Sequence, residues 1–378
     1  MKNCSISGSM KKYDDGGFYI GRQKTACITG VTGMDGAYLT EYLLSLGYRV
    51  IGIKRRSSTD NLWRLRYLGV LDNKNLIIEE GDITDLCSLV SVFKKYRPDE
   101  VYSLAAQSHV GTSFSQPQLT WNVTAQGAIN VANAIFMTNE SARLYNAASS
   151  EMMGSHYEVV DGEKIQNENT KMDGNSPYGI AKFAAFNYMR VLREGYGRFI
   201  CSGLLYNHGS PLRGESFFER KVTKYIGGLV KWFRDNNVDT REMSDNETNL
   251  LYTDNTFPKL RLGDLSTFRD MGHSKDYVRL QHKMLQQDKP DDYIICTGET
   301  FQMKDIVKFA FECVGLDWER FIYIDQSLIR PREVEYLRGD CSKAKKELGW
   351  EPTYSLKTMI EEMVKQDIEW AKEGKNYG

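Results

Sequence analysis

Three glycines, Gly30, Gly33 and Gly36, lie between a short apolar run (Ala26–Thr29) and an amphipathic helical pattern that begins at once (AYLTEYLLSLG). Few features constrain a chain more. Glycines at this spacing permit a tight strand-to-helix turn and a close backbone approach, and the helix start offers free N–H groups to a pyrophosphate. A glycine triad alone is weak evidence, but a strand before it and a helix after it supply the context that a dinucleotide-binding turn requires. Gly30, Thr32, Gly33, Asp35 and Gly36 are therefore candidate cofactor contacts.

The pattern that follows repeats the same unit. Apolar runs at Arg49–Ile53, Leu76–Glu79, Val101–Ala105, Arg143–Ala147 and Ile200–Tyr206 alternate with helical patterns at Leu86–Tyr96, Asn122–Thr138 and Tyr178–Gly195. Strand and helix in alternation predict an α/β fold, a Rossmann-type doubly wound parallel sheet that binds ligands at the carboxyl ends of its strands. After about residue 207 the alternation weakens. Helical patterns return at Gln302–Val314, near Ser342 and at Leu356–Lys372, while Asn236–Phe257 is polar and reads as a loop insertion. The expected organisation is a polar N-terminal extension (1–22), a dinucleotide-binding domain (23–207) and a smaller C-terminal α/β substrate-binding lobe (208–378) interleaved with it.

Each strand end then yields candidates. The second strand runs into Lys54, Arg55, Arg56 and Ser57. An NAD-preferring chain would place an acidic residue here, whereas a basic cluster suits the 2′-phosphate of NADP. Asp82 and Ile83 close the third strand and point to the adenine. Ala105 and Gln107 close the fourth and line the cofactor groove, with Ser108 beside the substrate. The fifth ends in Ser149, Ser150 and Glu151.

The sharpest signal is SPYGIAK. Ser176 suits an N-cap and Pro177 the first helical position. Tyr178 and Lys182 are then four apart on one helix face and also border the cofactor. An ammonium beside a phenol lowers its pKa, which would let Tyr178 take an alcohol proton as hydride leaves the same carbon. Ser149 can hydrogen-bond the hydroxyl or carbonyl that Tyr178 addresses. Glu151 is not needed by a plain alcohol dehydrogenase, but it is needed by an enzyme that removes a proton α to a new ketone.

Composition narrows the partners. Apolar residues make up 41% of the 378, enough for a sizeable core, and the formal net charge of −1 without a basic run argues against a nucleic-acid groove. No stretch approaches the roughly 18 to 20 apolar residues of a membrane helix, and the N-terminus lacks a secretory apolar core. The seven cysteines form no CxxC and the five histidines are scattered, so free thiols in a reducing, cytoplasmic setting and no metal site are expected.

The motifs GVTGMDG, KRRSS, LAAQSHV, SSEMMG, SPYGIAK, NHGSP, RDMGHSKDYV, RPREVE and ELGWEP together resemble the GDP-mannose 4,6-dehydratases, members of the extended short-chain dehydrogenase/reductases, over roughly residues 24 to 370. The resemblance implies NADP as cofactor and GDP-mannose or a closely related GDP-sugar as substrate. It implies Tyr178 as the group that accepts the C4 hydroxyl proton, Glu151 as the C5 base, and Glu151 or Ser150 as proton donor to the leaving water. It also implies sugar, cofactor or diphosphate contacts for Asn207, diphosphate charge from Lys221 and Arg269, ribose and phosphate contacts from Arg332 and Glu335, and a homotetramer joined through the KRRSS loop.

Departures are visible too. Gly209 stands where NHESP-type motifs carry Glu, Met34 replaces a usual Gln, and Met271 a usual Trp. They leave a GDP-linked heptose or another GDP-hexose open as substrate. A nucleotide-sugar 4-epimerase or reductase, and a non-catalytic NADP-binding sensor, are the rival readings. The first does not need Glu151, and the last does not need the Ser–Tyr–Lys set.

Overall fold

In a computed structural model the described residues are 22–239, 245–253 and 256–375. Seven strands form one sheet: β1 (Thr25–Thr29), β2 (Arg49–Lys54), β3 (Leu76–Glu80), β4 (Glu100–Ser103), β5 (Arg143–Ser149), β6 (Ile200–Leu205) and β7 (Tyr293–Ile295). Their order is β7-β6-β5-β4-β1-β2-β3, and every pairing is parallel. Parallel strands need crossovers that cover both faces of the sheet, which is why runs such as TACIT and RVIGIK are apolar without alternation. The order reverses between β1 and β4, and a crevice opens there at the carboxyl ends of both strands.

Helices α1 (Met34–Ser45), α2 (Leu86–Tyr96), α3 (Gly127–Thr138) and α4 (Pro177–Tyr196) are the expected crossovers. One face of the sheet is covered by α2, α3 and α4 through Leu89, Phe93, Val131, Ile135, Ala185 and Met189. The other is covered by α1 through Leu39 and Leu43, and by a helix that the sequence pattern did not separate from its surroundings, α6 (Ser274–Leu285), through Leu280 and Met284. The segment Trp121–Gln126 just before α3 is π-helical.

The lobe has its own core. It is built from α5 (Phe218–Asp235), α7 (Met303–Glu312) and α8 (Leu356–Lys372), with Ile226, Leu229, Ile306, Phe311, Met359 and Met363 inside. Two extended segments, Asn207–Gly209 and Met271–His273, pair in parallel and carry the chain from sheet to lobe. At the crossing of α5 and α8 the Arg220 guanidinium and the Asp367 carboxylate pair while almost fully buried, and Thr223 Oγ1 donates to Asp367 at 2.7 Å. Removing one member would strand the other charge in the core.

Two expectations are corrected. The polar segment 236–257 is not simply a loop, since Asp245–Thr253 is helical; its acidic first turn, with Asp245 and Glu247, suits a helix N-terminus. Residues 240–244 and 254–255 lie outside the described residues, as do 1–21 of the N-terminal extension. Sequence alternation also hid β7. At three residues and with no helix pattern directly before it, Tyr293–Ile295 looked like part of the lobe, yet it extends the sheet beside β6.

Candidate active site

The glycine turn has the form of a cradle. Gly30 adopts φ 74°, a left-handed conformation that a side chain would strain, and a Cβ there would stand 3.0 Å from the Ala105 backbone. A Cβ on Gly36 would lie 2.3 Å from the Gly30 carbonyl. The N-cap of α1 is Gly33, which has no side chain to occupy the first N–H groups, so they are left for an anion. The turn therefore fits a dinucleotide pyrophosphate. Gly36→Ala is expected to lose dinucleotide affinity and to destabilise the fold by about 1–3 kcal/mol, checked by calorimetric titration and a thermal melt.

Asp35, placed among the cofactor contacts by sequence, is turned toward the lobe. Its carboxylate lies 2.8 Å from His208 Nε2 and accepts from Ser274 Oγ at 2.5 Å, while the other His208 nitrogen sits 2.8 Å from the Tyr206 carbonyl. Burial works to raise this carboxyl, but the His208 charge and the two hydrogen bonds outweigh it and hold it below the usual carboxylate range. Asp35 thus ties the glycine turn to the sheet–lobe junction. Arg64, which sequence reasoning missed, does the same on the other side. Its guanidinium donates to the Thr32 carbonyl at 3.0 Å and the Leu212 carbonyl at 2.7 Å.

Around this cradle, Arg55, Arg56 and Ser57 are exposed at the end of β2. Asp82 accepts from Thr84 N and Oγ1 at 2.9 and 2.7 Å, and the Ile83 carbonyl accepts from Asn130 Nδ2 at 2.9 Å. Ala105 N donates to Thr29 Oγ1 at 3.3 Å, and Gln107 is locked to His109 and Thr120. Ser108 is exposed beside them. Asn207 carries a buried Oδ1 without a partner among the described residues, an acceptor at the start of the junction strand.

The catalytic candidates converge. Ser176 accepts from Gly179 N at 3.0 Å, Pro177 occupies the first turn, and α4 begins at the point that buries Tyr178 and Lys182. Ser149, the last residue of β5, caps the short helical turn Ser150–Met152 and accepts from Glu151 N at 3.3 Å. Ser149, Ser150, Glu151, Tyr178 and Lys182 are all more than nine-tenths buried.

Burial also corrects the expected charge state of the phenol. It pushes Tyr178 up to about 12, ahead of a hydrogen bond from Ser149 that pulls it down and the Glu151 charge that pushes it up. The Lys182 ammonium, 5.9 Å from the ring centre, is spent on the Ala147 carbonyl at 2.6 Å, and burial lowers its own pKa to about 8. The helix spacing places the pair correctly, but the low dielectric of the site favours the neutral phenol.

Glu151 lies within reach of the charges of Arg269, Arg330 and Glu333, a cluster that the sequence did not connect with it. In the segment 330–335 Arg330 and Glu333 are half-buried and Val334 is buried, while Arg332 and Glu335 are exposed. Glu333 accepts from Arg269 Nη2 at 2.8 Å and from Arg330 Nη1 at 2.9 Å. Burial raises the Glu151 carboxyl above the usual range, Arg269 and Arg330 pull it back, and Glu333 raises it further. Beyond His109 lies a cavity of about 410 Å³ lined by Glu215, Ser216, Lys221, Lys224, Tyr225 and Phe257.

A switch-point dinucleotide cradle with a buried Ser–Tyr–Lys set at the ends of β5 and α4 defines an extended short-chain dehydrogenase/reductase. The sequence profile of the family described as GDP-mannose 4,6 dehydratase matches residues 27–231 and 231–363. The chain belongs to that family. GDP-mannose 4,6 dehydratase 1 of Arabidopsis thaliana is 40% identical over 361 residues, covering 93% of this chain and 92% of the relative. GDP-mannose 4,6-dehydratase of Vibrio cholerae is 36% identical over 382 residues, covering 93% and 95%. In fold, the chain is similar to the NAD-bound dTDP-glucose 4,6-dehydratase DesIV of Streptomyces venezuelae (TM-score 0.73, 20% identity, 91% and 97% covered). It is similar also to UDP-glucose 4-epimerase of Bifidobacterium longum in complex with NAD+ and UDP (TM-score 0.75, 18% identity, 92% and 98% covered).

Proposed function

We propose that this chain is a GDP-mannose 4,6-dehydratase that converts GDP-mannose to GDP-4-keto-6-deoxymannose and water with NADP as its cofactor. One observation carries the reading. A buried carboxylate, Glu151, stands two residues after Ser149, shares the site with Tyr178, and is raised by burial against the pull of two guanidinium groups, Arg269 and Arg330. An epimerase that only oxidises and re-reduces C4 has no use for such a base.

The residues divide the work as follows. Ser149 and Tyr178 hold the C4 hydroxyl, and Tyr178 takes its proton. Lys182 fixes the backbone at Ala147 and keeps a positive charge behind the phenol. Glu151 removes the C5 proton once a ketone at C4 has acidified it, and that proton leaves with the C6 hydroxyl as water, with Ser150 the alternative donor in that step. A nicotinamide dinucleotide held on the Gly30–Gly36 turn would supply the hydride acceptor for C4 and the hydride donor for C6, so no net redox change would accompany turnover.

Lys221, Lys224 and the Tyr225–Phe257 ring pair, 5.3 Å apart, supply cations and an aromatic wall for the nucleotide end of the substrate. Arg269 and Arg330 offer guanidinium groups between that cavity and Glu151, with Asn207 an acceptor on the cofactor side. Arg332 and Glu335, exposed beside Arg330 and Glu333, are assigned to the ribose and phosphates of the substrate, and the exposed KRRSS loop is the surface through which a tetramer would join.

The experiment is incubation of the chain with GDP-mannose and catalytic NADP+, read by mass spectrometry. A product lighter by one water without accumulation of reduced cofactor is the expected result. An unchanged sugar would refute the substrate assignment. Arg55→Glu with Arg56→Glu is expected to weaken NADP+ by roughly 2 kcal/mol or more while sparing NAD+, measured as the ratio of the two dissociation constants. An unchanged ratio would undo the 2′-phosphate assignment.

A further inference from the structure

Glu219 is a buried carboxylate that the proposed chemistry does not use. It lies in the first turn of α5, where the helix dipole favours an anion, but it is turned inward and only 4% exposed. Its Oε1 pairs with Arg213 Nε at 3.1 Å. A surface charge placed merely to complement a helix end would not be buried against a guanidinium.

The space it fills belongs to Gly209. A Cβ built on Gly209 would meet Glu219 Cγ at 3.0 Å and Oε1 at 3.1 Å. Gly209 is not among the residues with positive φ, so its backbone does not demand glycine. What crowds a side chain here is Glu219, which would have to give way for one to start at residue 209. This is the same position at which NHESP-type motifs carry a glutamate.

Arg213 lies at the edge of the site, within electrostatic reach of it. Its guanidinium stacks over the Phe217 ring at 3.6 Å, and Phe217 in turn packs edge-on against His109 at 5.6 Å. Its charge is felt at Asp35 beside the glycine turn, at His109 after β4 and at Tyr178 on α4. A cation that reaches three elements of the site needs a fixed position, and an ion pair to a buried carboxylate supplies it.

We propose that Gly209 and Glu219 are a matched pair in which α5 supplies the carboxylate that the junction strand lacks, and that Glu219 is a positioning residue holding Arg213 at the edge of the active site. The geometry makes the exchange reciprocal. One carboxylate fits beside Arg213, from residue 209 or from residue 219. Two would collide and repel, and none would leave Arg213 without its anchor.

The proposal rests on the dehydratase reading for its readout, and the test separates the two. Turnover of GDP-mannose is measured for the wild-type chain, Glu219→Thr, Gly209→Glu and the double variant, each checked by thermal melt. Glu219→Thr is expected to lose on the order of 10- to 100-fold in kcat/KM. The double variant Gly209→Glu with Glu219→Thr is expected to recover to within about threefold of wild type, a sign that independent structural damage would not produce. A double variant no better than Glu219→Thr overturns the pairing. If Gly209→Glu alone does not fold, the comparison of Glu219→Thr with the double variant still decides. Wild-type turnover tests the dehydratase reading itself; if it is absent, NADPH affinity read by fluorescence scores the same comparison.

Discussion

Replacing Tyr178 by phenylalanine is expected to lower kcat by about 10²- to 10⁴-fold, the usual worth of a positioned proton-transfer group, without unfolding the chain. The ring packs in the same place, and the lost hydroxyl leaves only its Ser149 hydrogen bond unmade. Single-turnover absorbance should then show no transient reduced nicotinamide, because the C4 hydroxyl proton has nowhere to go.

The charge state makes this prediction sharper. Burial holds the phenol near 12, above its ordinary value of about 10, so at neutral pH the resting group is protonated. The form that can accept a proton is therefore the scarce one, and kcat is expected to rise with pH through the neutral and mildly alkaline range. Stability moves the other way. A pKa raised in the folded state contributes stability that is fully present below the unfolded value of about 10 and is lost as pH rises toward 12. Lys182→Met should exaggerate the effect on rate, since it removes the ammonium close to the ring and leaves the Ala147 carbonyl without its donor at 2.6 Å. A pH–rate profile that is flat over this range, or a Tyr178→Phe variant with near-normal turnover, would remove Tyr178 from the proton-transfer role.

The sheet was legible from sequence because its strands are buried on both faces and its helices are amphipathic, so burial wrote itself into the pattern of β1 to β6 and α1 to α4. It was not legible in β7 or α6. Tyr293–Ile295 is too short to show a period, and the buried stripe of Ser274–Leu285 is broken in sequence by two polar residues, Asp276 and Gln281, that the fold nevertheless buries. The site shows the same division. Ser149, Glu151, Tyr178 and Lys182 sit at strand and helix ends whose positions follow from local pattern. Arg330, Glu333, Arg213 and Glu219 come from extended or loop segments and a helix start, and which side of such a segment faces inward is set by tertiary contacts. The segment 330–335 made this plain, since RPREVE offers two arginines and two glutamates and only the fold chooses between them. The pKa of Tyr178 was also beyond reach, because spacing gives the partner while burial gives the dielectric.

Replacing Glu151 by glutamine is expected to abolish dehydration and, at the same time, to stabilise the protein. The amide keeps the shape and the position beside Ser149 but cannot take a carbon-bound proton, so the loss in kcat should again be about 10²- to 10⁴-fold. The oxidation at C4 does not involve this carboxylate. Single-turnover absorbance should therefore show reduced nicotinamide forming and persisting, the opposite of the Tyr178→Phe result, and C5 of the sugar should no longer exchange its hydrogen with solvent deuterium. The stability gain follows from burial. The Glu151 pKa is raised in the fold, with desolvation outweighing the pull of Arg269 and Arg330. A raised carboxyl contributes stability at pH below its unfolded value and loses it as pH rises through the folded one, so at neutral pH the ionised group is held at a cost. Glutamine carries no charge to desolvate. The melting temperature of Glu151→Gln should exceed that of wild type at pH 8 by more than it does at pH 5, as expected of a site where catalysis is kept at the expense of stability. A variant that melts lower at both pH values would mean that the two guanidinium groups need the Glu151 charge more than the fold is burdened by it. Retained dehydration would take the base away from Glu151 altogether.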